Sequence, residues 1–325
     1  MLATAPLPRM KAIVQPRYGP PDVLQFQETG SPVSSDDGVL VKVRAASVNA
    51  LDWHIMRGKP FPVRFLEGFR RPKHPVRGMD VAGIVQAVGK NVSRWKPGNE
   101  VFGTARGTFA EYATAPEGNF VAKPSNLTFE QAAAIPIAAF TALEALRDHG
   151  HVQPGQRVLI NGAGGGVGTF AVQIAKSLGA HVTAVTSTRN VDLVRSIGAE
   201  SIIDYEKEDF TRGADRYDAL LDISRKHSFA SCRRILKPEG VHVVVGGNGF
   251  GRAVLASIGS RFRRNRVVMF VAKGRDEDLT VLRTLVMTGK LAPVVDRRYP
   301  LSQVPDAIRY VETGQAQGKV VISVG

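Results

Sequence analysis

The sequence predicts an α/β protein of two domains, a small β-barrel-like domain and a doubly wound parallel sheet. Three observations carry that prediction. The first third of the chain consists of short β-branched or alternating runs between Gly, Pro, Asn and Asp punctuation, the pattern of an antiparallel or barrel-like β domain. After Pro154-Gly155 strands alternate regularly with helices, which implies parallel βαβ units rather than hairpins. The 325 residues also exceed the size, about 250 to 300 residues, at which a single core usually stops growing.

The elements follow in order. Strands are expected over residues 11–14, 39–48, 81–88, 101–104 and 109–115. Thr128-Phe129-Glu130-Gln131 is a capping box that opens an Ala-rich helix toward Leu146, with a kink expected at Pro136. A strand over 157–161, a helix over 167–178, a strand over 181–186 and a helix over 191–197 closed by Gly198 come next. Further strands over 201–203, 219–223, 241–245 and 267–271 complete a sheet of six parallel strands. A helix over 279–287 ends at Gly289, and the chain returns to short strands, a helix over 304–312 and a closing strand over 320–324. The domains expected are 1–127 with 277–325, and 128–276.

Hydrophobic residues make up 43% of the chain and charged residues 22%, so both domains can bury cores. The one cysteine, Cys232, excludes an internal disulfide framework and any metal site built on two thiolates, and it fits a reducing compartment. No apolar run reaches the roughly 18 residues of a membrane span, and the N-terminus lacks the apolar stretch of a signal peptide. The expected location is the cytoplasm. The net charge of +14 attracts phosphates, acidic partners and anionic lipid alike. Its basic residues bunch at Arg57, Lys59, Arg64, Arg70, Arg71, Lys73 and Arg77, and again at Arg261, Arg263, Arg264 and Arg266. Neither bunch carries a recognised nucleic-acid motif, so no nucleic-acid partner is expected; the simplest reading of both is a solvated basic surface.

The sharpest chemical signal runs from Val158 to Gly168, reading VLINGAGGGVG, and an amphipathic helix follows it directly. A glycine-rich turn between a buried strand and a helix start is the setting a dinucleotide requires. Gly165 and Gly166 let the main chain approach a diphosphate, Val167 opens the helix whose free N–H groups face the anion, and Gly168 permits close packing of helix on strand. Ala163 takes the first glycine position, so the turn does not draw a positive φ from it. No acid stands between Gly168 and Asp192 to grip a ribose 2′-hydroxyl. Ser187, Thr188 and Arg189 stand there instead, a set suited to a 2′-phosphate and hence to NADPH. Ser187 and Thr188 also suit the cap of the following helix.

The order of β domain, glycine-rich βαβ domain and return segment resembles the medium-chain dehydrogenase/reductase superfamily over essentially the whole chain from Met10. Ala163 to Gly168 with Gln173-Ile174-Ala175-Lys176 is similar to its zinc-independent quinone oxidoreductase branch, the zeta-crystallin-like one. Ser187 to Asn190, Val194 to Ala199 and Ile203-Asp204-Tyr205 resemble the subgroup of chloroplast-envelope quinone oxidoreductase homologues and mitochondrial reticulon-interacting oxidoreductases. The resemblance implies a GroES-like β-barrel catalytic domain beside a Rossmann domain, a homodimer joined near residues 266–271, and cofactor contacts from Tyr205 and Lys319. Where the zinc-dependent members place Cys, His and Cys, this chain has Asn49, Met79 and an apolar residue near Ile137, so three zinc ligands cannot be assembled.

Without zinc, alcohol oxidation lacks its Lewis acid, whereas a quinone or α,β-unsaturated carbonyl accepts hydride with modest help. The expected function is therefore hydride transfer from NADPH to such a small molecule, in a water-excluding cleft. Asn49 is the candidate hydrogen-bond donor, with Asp52 as the brace of its loop. His54 is a candidate proton source, although an isolated His before Ile55 and Met56 is more often structural. Residues 57–77 are expected to form one wall of the pocket. The alternative is a catalytically weak NADP(H)-binding protein that uses its basic face to associate with an anionic membrane or partner surface.

Overall fold

The structure, a computed structural model, describes residues 9–246 and 265–325; Arg261, Arg263, Arg264 and the first eight residues of the N-terminal reading lie outside them. In chain order the strands are β1 (Met10–Val14), β2 (Gln25–Thr29), β3 (Gly38–Val48), β4 (Asp80–Val88), β5 (Glu100–Thr104), β6 (Tyr112–Pro116), β7 (Phe120–Ala122), β8 (Arg157–Asn161), β9 (His181–Thr186), β10 (Ser201–Asp204), β11 (Tyr217–Asp222), β12 (Leu236–Val245), β13 (Arg266–Phe270), β14 (Val295–Pro300) and β15 (Lys319–Ser323). The helices are α1 (Ala50–Arg57), α2 (Val63–Glu67), α3 (Phe129–Ala133), α4 (Pro136–Glu144), α5 (Gly166–Ser177), α6 (Val191–Ser196), α7 (Phe229–Arg234), α8 (Asp276–Met287) and α9 (Val304–Glu312). None of the described helices is long and apolar enough to cross a membrane.

The chain divides into two compact units, one of residues 1–137, 274–287 and 293–325, the other of 138–273 and 288–292. The first boundary follows Ile137 rather than Leu127, because α3 packs on β3, β4 and β15 of the first unit. The Thr128 capping box forms as expected, with the Thr128 hydroxyl accepting from Gln131 N at 3.2 Å and the Gln131 amide oxygen accepting from Thr128 N at 3.0 Å. Pro136 does more than kink this helix. Its ring and missing N–H separate α3 from α4, and it opens the second helix. Residues 288–292 join the second unit through Gln173, whose side-chain amide holds Ala292 N at 2.8 Å and Ala292 O at 2.9 Å.

The first unit is built on a seven-stranded sheet of order β14-β15-β3-β4-β5-β7, with β6 also paired to β3 and a separate β1-β2 ribbon. The expected barrel is found as an open sheet. Its terminal strands, β14 and the three-residue β7, do not pair with each other. β3 is central and nearly all buried, and its Val39, Val41 and Val43 meet Phe109, Phe120, Val320 and Ile322 in the core. α9 covers this core with Val304, Ala307 and Ile308, the spacing of one helical face.

The second unit holds six parallel strands of order β10-β9-β8-β11-β12-β13, the doubly wound sheet expected. Val158, Leu159 and Ile160 of β8 are buried on both faces, as parallel strands between helix layers must be. Strand order reverses between β8 and β11, and ligands of such sheets sit beyond the strand ends at that switch point. The glycine-rich turn begins there. β13, whose region the resemblance marks for dimer pairing, is an edge of this sheet.

Candidate active site

Positive φ enters the turn one residue before Ala163, at Gly162 with φ +95°. Gly162 N and Ala163 N both donate to Val185 O at 3.1 Å, which locks the turn to the neighbouring strand. The glycines then differ in what a side chain would meet. A Cβ on Gly164 would lie 2.5 Å from Asn190 Nδ2, and one on Gly168 would lie 2.1 Å from Gly162 O. At Gly165 the nearest neighbour would be Gly162 O at 3.6 Å. Gly164 and Gly168 therefore serve packing, and Gly165 keeps a space clear in front of α5. The first-turn N–H groups of Gly166, Val167 and Gly168 have no intrahelical acceptors, and they face where a diphosphate would rest. The residues present fit a dinucleotide.

At the end of β9 the expected donors separate. Ser187 is buried and its hydroxyl oxygen accepts from Asn190 Nδ2 at 3.3 Å, which leaves its O–H to donate. The Thr188 hydroxyl instead donates to Asp204 Oδ2 at 2.6 Å. The expectation that Thr188 donates to a phosphate is corrected, because its single hydrogen is spent. Nor does Ser187 cap the short helical turn Thr188–Asn190 with its side chain. The Thr188 hydroxyl, and after it Lys207 at 3.1 Å, hold the Asp204 carboxyl below the usual range. Arg189 is exposed, and so is Tyr205, whose ring lies 5.1 Å from Lys226 Nζ. Asp204, Lys207 and Lys226 were not anticipated, since they arrive from the end of β10, the turn after it and the loop after β11; the adjacency of Asp204 to Tyr205 was the available signal.

In the first unit Asn49, Asp52 and Lys319 come together around Asp80, which has no exposed surface. Asp80 Oδ2 accepts from Ser47 Oγ at 2.6 Å, Asn49 Nδ2 at 2.8 Å and Lys319 Nζ at 3.4 Å, and its Oδ1 accepts from Ile137 N at 2.9 Å. Lys319 Nζ also donates to Asn49 Oδ1 at 2.6 Å and Val48 O at 3.3 Å. An ammonium has three hydrogens, and three internal oxygens take them. Lys319, expected at the far end of the cofactor, is thus spent inside the unit, where it orients Asn49. Burial pushes its pKa down while Asp80 and Asp52 pull it up. Asn49 keeps one amide hydrogen for another acceptor.

Asp52 braces this loop as expected, with Oδ2 accepting from Asn49 N at 2.8 Å. Its Oδ1 is buried without a partner, and burial above all pushes the carboxyl up to about 7. The unfolded chain ionises Asp52 near 3.8 while the folded chain holds the proton to about 7, so the folded state binds more protons between those values and stability falls as pH rises across them. The contribution is on the order of 4 kcal/mol. Urea unfolding across this window is expected to show Asp52→Asn losing less stability with rising pH than the unaltered protein, and parallel curves would refute it. His54 stacks on Trp53 at 3.6 Å between ring centroids, and its Nδ1 lies 3.1 Å from Lys59 O. A ring donating to that carbonyl ties down the end of α1, a structural role for Nδ1.

A cavity of about 160 Å³ adjoins α1 and α2, lined among others by Leu51, Ile55, Val63, Glu67, Arg77 and Arg106. Val63, Glu67, His74, Val76 and Arg77 of the basic stretch supply part of this lining. Arg77 is buried, and desolvation pushes its pKa down. Among the described residues one trio has metal-capable atoms within reach of one another, Asp222, Cys232 and His242 in the second unit. It was missed because it spans β11, α7 and β12. Burial first pushes the Cys232 thiol up to about 12, and Asp222 already accepts from Asn161 Nδ2 at 2.8 Å and Arg225 N at 2.9 Å.

Two family models match the chain: the alcohol dehydrogenase GroES-like domain over residues 35–125 and the zinc-binding dehydrogenase domain over residues 197–322. The 2-methylene-furan-3-one reductase of Solanum lycopersicum is 35% identical over 96% of this chain and 79% of its own length. The chain belongs to the medium-chain dehydrogenase/reductase superfamily. Within that superfamily the chloroplastic NADPH-dependent alkenal/one oxidoreductase of Arabidopsis thaliana is 34% identical over 98% of this chain and 81% of its own length. The solved quinone oxidoreductase of Coxiella burnetii superposes with a TM-score of 0.89 at 32% identity, covering 98% of this chain and 100% of its own. The chain is an NAD(P)H-dependent oxidoreductase of this superfamily, with the superfamily's GroES-like and Rossmann-like parts.

Proposed function

We propose that this protein reduces a quinone or an α,β-unsaturated carbonyl with NADPH and without zinc. The observation that carries the reading is the cleared space at Gly165 before the first turn of α5, followed by a basic corner at the end of β9. NADPH, when bound, supplies the hydride. The amides of Gly166, Val167 and Gly168 hold its diphosphate, and Ser187 and Arg189 donate to its 2′-phosphate, with Lys226 and Tyr205 beside them. The remaining amide hydrogen of Asn49 serves the acceptor's oxygen as charge develops there, and Lys319 and Asp80 keep that amide from turning. Zinc independence is supported by the residues at the ligand places, since Asn49 and Met79 stand at two of them and Asn49 is tied to Asp80 and Lys319. The names of the tomato and Arabidopsis relatives support an enone or enal, and that of the Coxiella structure a quinone. A homodimer paired along the β13 edge, in the cytoplasm, belongs to the same reading.

The test is NADPH oxidation by chelator-treated protein across enals, enones and quinones. Turnover on at least one class, unchanged by the chelator, is expected. Background rates on every acceptor from protein that still binds NADPH would end the proposal. Arg189→Ala is expected to weaken NADPH by about tenfold or more, the worth of one charge-assisted hydrogen bond, and to leave NADH unchanged. Equal losses for both cofactors, read by fluorescence titration, would remove Arg189 from the phosphate corner.

A further inference from the structure

Residues 57–77 carry a feature that reduction of a soluble acceptor does not use. Phe61, Phe65 and Phe69 are 53%, 65% and 57% exposed, although a Phe normally belongs in a core. Their rings touch one another, with centroids 5.6 Å apart for Phe61 and Phe65, 5.8 Å for Phe61 and Phe69 and 6.0 Å for Phe65 and Phe69. Three clustered rings in water form one apolar patch rather than scattered exposure. Cations surround it. Lys59, Arg70, Arg71 and Lys73 are exposed, and Arg64 lies half-buried over the rings of Tyr18 at 4.7 Å and Phe61 at 5.9 Å. Two other cations of this stretch are otherwise engaged, Arg57 with Glu312 and Arg77 in the interior. Glu67, the one acid among these residues, is paired to Arg106 at 3.6 Å, so the patch meets solvent with a single sign.

We propose that this face docks on the surface of an anionic lipid bilayer, with the three phenylalanines entering the boundary of headgroups and acyl chains. An apolar tip ringed by Lys and Arg matches both layers of such a surface, the hydrocarbon beneath and the phosphates above. Each of the three is more than half exposed, so together they offer a continuous apolar face for burial. The same short helix that holds Phe65 in solvent contributes Val63 and Glu67 to the cavity wall, which anchors the patch on the folded unit. The proposal does not depend on turnover.

Sedimentation of the full chain with phosphatidylcholine vesicles, with and without phosphatidylserine, tests it. At low salt the chain is expected to pellet with the anionic vesicles and to stay in solution with the neutral ones. The variant Phe61→Ser/Phe65→Ser/Phe69→Ser is expected to bind at least about tenfold more weakly. Replacing Arg70, Arg71 and Lys73 by Gln is expected to cost on the order of a hundredfold, about fivefold per cation. These positions are exposed, so unchanged urea midpoints check that each variant folds. No pelleting of the unaltered chain overturns the proposal, and so does a serine variant that pellets equally well. Capture on polyglutamate that equals vesicle binding and ignores the serine changes assigns the face to an acidic protein, and also overturns it.

Discussion

Gly168→Ala is expected to lower NADPH affinity by about a hundredfold and to destabilise the parallel-sheet unit by about 1–3 kcal/mol, while Gly165→Ala weakens NADPH alone. At residue 168 the added methyl would stand 2.1 Å from Gly162 O and 2.7 Å from the Ala163 Cα and carbonyl carbon. These are backbone atoms of the turn itself, so no side chain can swing aside, and α5 must back away by about an ångström. That displacement carries the first-turn amides out of line with the diphosphate. At residue 165 the backbone is extended, with φ −88° and ψ 179°, a conformation any residue adopts. The methyl would meet only ordinary contact with Gly162 O at 3.6 Å, so urea stability is expected to stay within about 0.5 kcal/mol of the unaltered protein. It would nonetheless occupy the ground where the diphosphate rests. Calorimetric titration beside urea unfolding separates the two variants. NADPH bound equally well by both would show that the turn is not the cradle.

Lys319→Met is expected to cost about 3–5 kcal/mol of stability, because it leaves Asp80 buried without its cation. Ser47, Asn49 and Ile137 N still donate to that carboxylate, which places the loss toward the lower end. Adding Asp80→Asn removes the stranded charge, so the double variant is expected to recover part of the loss in a mutant cycle. The functional readout discriminates two roles for the lysine. If it orients Asn49 from within the unit, turnover falls and NADPH affinity in the folded protein is unchanged. A Kd for NADPH that rises with the substitution would return Lys319 to the cofactor.

The two halves of the site were unequally legible. The dinucleotide turn is local, with strand, glycines and helix contiguous from Val158 to Gly168, and local order follows from residue type and spacing. The Asp80 cluster gathers residues 47, 49, 80, 137 and 319, and nothing along the chain says that these meet. The same limit applies at Thr188, whose hydroxyl suits a phosphate until Asp204 arrives from the next strand. It applies again at Phe61, Phe65 and Phe69, which are plain in the sequence but whose exposure belongs to the fold. Strand β2, with Gln25, Gln27 and Glu28 among its five residues, has no apolar alternation to announce it.

By itself the amino-acid order determined the two-part architecture, the six parallel strands and the glycine-rich turn between β8 and α5, because hydrophobic period, turn chemistry and glycine spacing act over a few residues. Only the tertiary structure decided which polar side chains are spent on one another and which remain for a ligand. The reason is that a buried hydrogen-bond donor or charge takes its partner from whatever the folded chain brings near it, at any sequence distance.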